Sequence, residues 1–221
     1  MSLLLLVLAC GMGLLRQKRR FAAGLVFSLL SIKFHLVLLL PVMLLVKKQM
    51  DLLRGMTAGG LFLLLLNFVW AGWRWPVEQW HAMTNPIASP GPYMMPNLYG
   101  LAWHLGNTRI LEPPLIAVVL IITLRVLVVA EFEIALAAAM FGSLLISHHS
   151  YAQDAAVSIP ALLTTWRQGS TFASACAFVL LTPLPYFLQF NPPLGFVTPA
   201  LFCAVLAGLL FGKPSPAERI A

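Results

Sequence analysis

The sequence predicts an all-α, polytopic membrane protein with one short re-entrant helical hairpin, and three observations carry that prediction. Of its 221 residues, 60% are hydrophobic and only 10% are charged, a composition that leaves no room for a sizeable water-soluble domain. The apolar residues fall in runs separated by basic or proline-containing breaks, and helices are the open-chain structures that satisfy their own backbone in lipid. Finally, the apolar stretch 21–46 has basic clusters at both ends, Arg16, Lys18, Arg19 and Arg20 before it and Lys47 and Lys48 after it, with Lys33 and His35 in its middle.

That last pattern predicts the hairpin. Cationic side chains collect on the cytoplasmic side, so one span with strong basic clusters at both ends violates the positive-inside rule. Each half of the stretch is about 18 Å long as a helix, too short for a hydrocarbon core of about 30 Å. Two half-spans that meet near Lys33 bring both clusters to the same side and leave Lys33 and His35 within the membrane. Ionisable groups at that depth are costly unless they face protein, water or an anion, which makes them functional candidates.

The remaining elements follow in order. Residues 2–15 form a short apolar span running inward, and the basic cluster that follows is on the wrong side for a signal peptide. After the hairpin, 57–73 runs outward, 74–109 is an outer segment, 110–125 runs inward, 134–147 outward, 155–166 inward, 171–189 outward and 195–211 inward. All belong to a single membrane domain, 1–221. Of the 14 Lys and Arg, this topology puts Arg16, Lys18, Arg19, Arg20, Lys47, Lys48, Arg54, Arg125, Arg167, Lys213 and Arg219 inside. Only Arg74 and Arg109 lie outside, and Lys33 lies in the membrane. The net charge of +7 therefore reports orientation and contact with anionic lipid rather than nucleic-acid binding. Cys10, Cys176 and Cys203 all fall in apolar runs and are expected as buried small hydrophobes, not as a disulfide or zinc site. Pro41, Pro160, Pro183, Pro185 and Pro199 fall in apolar runs as well, where they kink helices and free carbonyls.

Two polar regions face outward. The segment 74–109 holds Trp75, Trp80, Tyr93, Tyr99 and Trp103, an interfacial aromatic set. A short interfacial helix is expected over 76–83, and the plain reading of the segment is a belt while the sharper one is a surface that holds a lipid-linked substrate. The second region, Ser147, His148, His149, Ser150, Tyr151, Ala152, Gln153 and Asp154, joins two apolar helices. Its groups suit general acid/base work, metal ligation, or hydrogen bonding to a phosphate or sugar, and an interfacial turn is the simple alternative. Adjacent His148 and His149 point in different directions, so one ion is not readily chelated by both.

The order of Ala23 through Leu36 up to Pro41, then 95–101 (Met95, Pro96, Asn97, Leu98, Tyr99, Gly100, Leu101), then 147–151 with Asp154 and Pro160 resembles the second half of the family 87 glycosyltransferases. These are similar to polyprenol-phosphate-mannose-dependent mannosyltransferases of GT-C architecture, and the resemblance covers about residues 3–210. It implies a multi-pass protein of the plasma (inner) membrane that transfers a hexosyl group, mannosyl in type, from a polyprenyl-phosphate sugar to an extracytoplasmic glycan or glycolipid acceptor. On that reading Lys33 and His35 lie near the lipid phosphate and Asn97 shapes the cavity wall. His149 and Tyr151 lie near the sugar or reacting centre, and Asp154 orients a neighbour. No metal and no cofactor is called for. The chain departs from the family at Phe34 and His148, where proline is common, and has no outer acidic loop near its N-terminus to supply a catalytic carboxylate. The expectation is thus a C-terminal portion of such an enzyme, leaning towards a catalytic role. The alternatives are a small-solute or lipid transporter and a non-catalytic membrane remnant.

Overall fold

The computed structural model describes residues 2–84, 91–148 and 150–211, and every regular element among them is helical. In chain order these are α1 (Ser2–Arg16), α2 (Arg20–Ser28), a 3₁₀ segment (Leu29–Val37), α3 (Leu40–Val46), α4 (Met50–Ala71), α5 (Trp75–Thr84), a 3₁₀ turn (Pro92–Met94), α6 (Leu98–His104), α7 (Thr108–Val129), α8 (Phe132–Ile146), a 3₁₀ turn (Ala152–Ser158), α9 (Ile159–Gln168), α10 (Thr171–Leu181), α11 (Leu184–Gln189), a 3₁₀ turn (Pro192–Leu194) and α12 (Val197–Leu209). Four helical stretches, 20–37, 50–71, 108–129 and 192–209, are long and apolar enough to cross a membrane. The protein is therefore an all-α polytopic membrane protein. Its outer surface agrees, because Phe62, Leu65, Val69, Ile110, Ile121, Val128, Phe172 and Phe178 are all exposed, an apolar surface that lipid rather than water must cover.

The first of the four stretches does not cross. Its backbone breaks at Lys33 (φ −125°, ψ 63°), and the chain turns back. The ascending limb, α2, lies alongside α4 in the same direction: Gly24 meets Leu52 and Met56, Gly55 meets the Phe21 carbonyl, and Gly59 meets Ser28. The descending limb runs antiparallel to α8. The Leu39 N–H donates to Ser143 Oγ at 2.9 Å near the C-terminal end of α8, whereas Lys47 Nζ donates to the carbonyls of Ala130 and Val128 just before α8 begins. Arg20 and Lys47 thus return to one side, as the charge pattern predicts. Pro41 sits in the first turn of α3, where its missing N–H costs nothing.

The two basic turns share a conformation. Lys18 (φ 61°) and Lys48 (φ 53°) occupy the left-handed region. The Arg19 N–H reaches back to the Leu14 carbonyl and the Gln49 N–H to the Leu44 carbonyl. These are Schellman ends, which close a helix by satisfying its last carbonyls. Burial pushes the pKa of the Lys47 amine below its ordinary 10.5.

At the centre stands α8, buried without interruption from Ala135 to Leu145; a helix that is apolar all round belongs in the interior. Antiparallel contacts fix its neighbours. Gly142 packs on Thr123 of α7, and Gln168 at the end of α9 donates to Glu133 at the start of α8, 2.6 Å away. Ser170 Oγ donates to the Gly208 carbonyl, tying α10 to α12. These contacts set α7 and α9 antiparallel to α8, and the helix boundaries differ from those expected. The fourth helix begins at Met50, not residue 57, and α7 continues to Val129, so Arg125 lies within it. Residues 171–189 are two helices, α10 and α11, divided where Pro183 cannot donate to the preceding turn. The segment 74–109 carries α5, which overlaps the helix expected over 76–83, and a second helix, α6.

Candidate functional site

Asp154 is the centre of the site. The connection between α8 and α9 turns at Ala152–Ser158, where the Tyr151 N–H donates to Asp154 Oδ2 at 3.0 Å and the Asp154 N–H donates to the Tyr151 carbonyl at 2.8 Å. This reciprocal cap holds the carboxylate rigidly. Its side chain is 1% exposed and points at the hairpin tip, where Lys33 Nζ donates to Oδ1 and His35 Nε2 lies 3.9 Å from Oδ2. That last separation is too long for a hydrogen bond, and Nε2 is a buried atom with no hydrogen-bond partner. Ser150 Oγ, fully buried on the same connection, is another.

The break in the hairpin explains why these groups meet. With its non-helical backbone, Lys33 leaves the ascending limb and directs its side chain across to Asp154, 121 residues away in sequence. His35, two residues later, follows on the same side. Lys33 keeps 28% of its side chain exposed and His35 27%, so the cluster is open on one face. The charge that compensates Lys33 is thus the protein's own carboxylate, and an ammonium with three donors has two to spare.

The other face of the same turn is apolar. Ala152, Ala156 and Ile159 face Leu181, Pro183 and Tyr186 across a cavity of about 490 Å³, with Gln153 at its wall. Its volume is in the range of small-molecule pockets.

Asn97 differs from its expected role. Its side chain is fully buried, caps α6 by accepting from the Gly100 N–H at 2.9 Å, and donates to the Ser147 and His148 carbonyls. With both ends of the amide engaged by protein, Asn97 joins the start of α6 to the end of α8 and does not present itself to a substrate. Tyr151 contributes its backbone to the Asp154 cap, and its side chain is 41% exposed. The role expected for His149 lies outside the described residues.

One pair escaped sequence reasoning. Glu112, in the second turn of α7, accepts from or donates to nothing in the hairpin but lies 3.2 Å from Nδ1 of His148, whose ring packs on Tyr99 with centroids 4.5 Å apart. The available signal was a lone carboxylate in an apolar run, directly before Pro113 and Pro114. Among the described residues no group of three or more His, Cys, Asp or Glu is placed to hold a metal ion.

No family model, no curated protein and no solved structure matches this chain.

Proposed function

We propose that this membrane protein binds a polyprenyl-phosphate-linked sugar at the outer leaflet and takes part in transfer of its hexosyl group to an extracytoplasmic acceptor, in the plasma (inner) membrane. The observation that carries the reading is the convergence of Lys33, His35 and Asp154 at the tip of a re-entrant hairpin. A lysine held at that depth, paired yet open on one side, suits a ligand whose head is anionic and whose tail is lipid.

In this reading Asp154 compensates Lys33 while the site is empty, and the spare ammonium donors receive the phosphate when the donor binds. Negative charge grows on the phosphate as the sugar departs, so a cation fixed beside it favours the transition state over the ground state. His35 adds an imidazole to the same face. The apolar cavity on the other side of the 152–158 turn offers a dry wall for the first part of the lipid chain. The exposed Trp73 and Trp80 are side chains of the kind that collects at the head-group level, which supports the reading.

The test is donor binding in nanodiscs. Lys33→Met is expected to weaken binding of polyprenyl-phosphate mannose at least tenfold, about 1.4 kcal/mol, while Lys33→Arg retains much of it because the charge remains. Unchanged affinity in the methionine variant would remove the hairpin lysine from the site.

A further inference from the structure

We propose that Glu112 and His148 form a proton-accepting dyad, with His148 as the base that takes the proton of the acceptor hydroxyl. The inference rests on the sugar-transfer reading for the identity of that hydroxyl, and on geometry for the dyad itself.

The imidazole is held on two sides and its backbone on a third. Glu112 Oε1 lies 3.2 Å from Nδ1, the ring of Tyr99 packs at 4.5 Å and an interplanar angle of 60°, and the Asn97 amide bonds the backbone carbonyls of Ser147 and His148. Glu112 is the anchored partner, 16% exposed, whereas the side chain of His148 is 57% exposed. An ionised carboxylate can only accept, so the hydrogen of this contact belongs to Nδ1, and the basic lone pair of the neutral ring then lies on Nε2. A carboxylate that fixes the tautomer and steadies the imidazolium formed later is the arrangement by which histidine serves as a general base.

Position supports the assignment. Both groups lie at adjoining helix ends, Glu112 near the start of α7 and His148 two residues after α8. His148 shares with Asp154 the single connection between α8 and α9. A hydroxyl that attacks a sugar carbon needs a group to take its proton, and the dyad supplies one.

In the step, the acceptor oxygen bonds to the anomeric carbon while the bond from that carbon to the phosphate oxygen breaks. The electron pair of the broken bond leaves with the phosphate, beside Lys33. The hydroxyl proton passes to Nε2 of His148, and the resulting imidazolium later releases it to water. His148 acts on the acceptor, and Glu112 is a positioning residue.

Two measurements decide the proposal. In nanodiscs containing protein with ¹⁵N-labelled histidine, assigned against His148→Ala, the ring shifts of neutral His148 are expected to show the Nδ1–H tautomer. In Glu112→Ala they should move to the Nε2–H form preferred in water. An Nε2–H ring in the native protein would overturn the dyad. Secondly, with polyprenyl-phosphate mannose as donor, His148→Ala should lower transfer roughly a hundredfold with donor affinity unchanged, and added imidazole should restore part of the rate. Transfer within twofold of native would overturn the base while leaving the donor site standing. Native protein that shows the Nδ1–H tautomer yet binds no donor would overturn the sugar-transfer reading and, with it, the role of the dyad as base.

Discussion

Lys33 and Asp154 form an ion pair in which one member is 28% exposed and the other 1%, and that asymmetry governs what substitution does. Removing Asp154 leaves a cation facing apolar surroundings; removing Lys33 leaves a buried carboxylate. Either loss is costly because the remaining charge has no compensation. Asp154→Asn and Lys33→Met are each expected to destabilise the fold by about 3 kcal/mol, at the low end for a buried pair because Lys33 is partly open. The double variant should recover most of that loss, since two neutral groups require no counter-charge. Thermal unfolding of all four proteins in the same detergent checks it, and strictly additive losses would show that the pair is not coupled. Donor binding separates function from stability: the double variant should be stable yet bind poorly.

The two limbs of the hairpin are held in different ways. The descending limb is fastened by hydrogen bonds to Ser143, Ala130 and Val128, whereas the ascending limb depends on close approach. Gly24 and Ser28 on α2 oppose Gly55 and Gly59 on α4, a pair of small-xxx-small faces that let backbones come together where lipid provides no hydrophobic drive. A Cβ at Gly55 would stand 2.1 Å from the Phe21 carbonyl oxygen, whereas at Gly60 it would meet nothing within 4 Å. Gly55→Ala must therefore push the helices apart, at a cost of about 1–3 kcal/mol. Gly60→Ala should be neutral or stabilising by up to about 1 kcal/mol, because alanine is the better helix former. Melting temperatures of the two variants test this, and equal shifts would argue against the tight α2–α4 contact. The elements also show where periodicity misleads. Residues 171–189 read as one apolar run, but it divides at Pro183, which caps α11, and Thr198 Oγ1 of α12 donates to the Pro185 carbonyl at 2.8 Å.

Across the whole molecule, the orientation follows from where the basic residues gather. Once Cys10, Cys176 and Cys203 are replaced by alanine, single cysteines at Gln17, Gln49 and Gln168 should be shielded from an impermeant thiol reagent added outside intact cells. A cysteine at Glu78 should react. Labelling at Gln49 without labelling at Gln17 would mean that 20–46 crosses completely, contrary to the antiparallel register of α3 on α8. The short central helices belong to the same scale: α8 has 15 residues and α10 has 11, about 22 Å and 16 Å. Neither crosses about 30 Å of hydrocarbon alone. Beyond their C-terminal ends the chain continues through the 3₁₀ turn Ala152–Ser158 and through α11 respectively.

Hydropathy and charge along the chain suffice to read a multi-pass helical membrane protein whose residues 21–46 turn back. Hydropathy and positive charge are local quantities, and the hairpin follows from their conflict around Lys33. Lys33 and His35 stood out for a related reason, because an ionisable group in an apolar run is conspicuous without any knowledge of its partner, and Asp154 stood out as part of the polar region 147–154. Only the tertiary structure decided which groups meet. Residues 33 and 154, or 112 and 148, carry no mutual signature in sequence, since the packing of whole helices sets their separation. The same holds for Asn97, whose polar side chain reads equally well as a ligand contact or as a buried strut until the Ser147 and His148 carbonyls are seen beside it. Glu112 was hidden for the converse reason: next to Pro113 and Pro114 it reads as the frayed start of a span, and only the approach of α8 turns it into half of a pair.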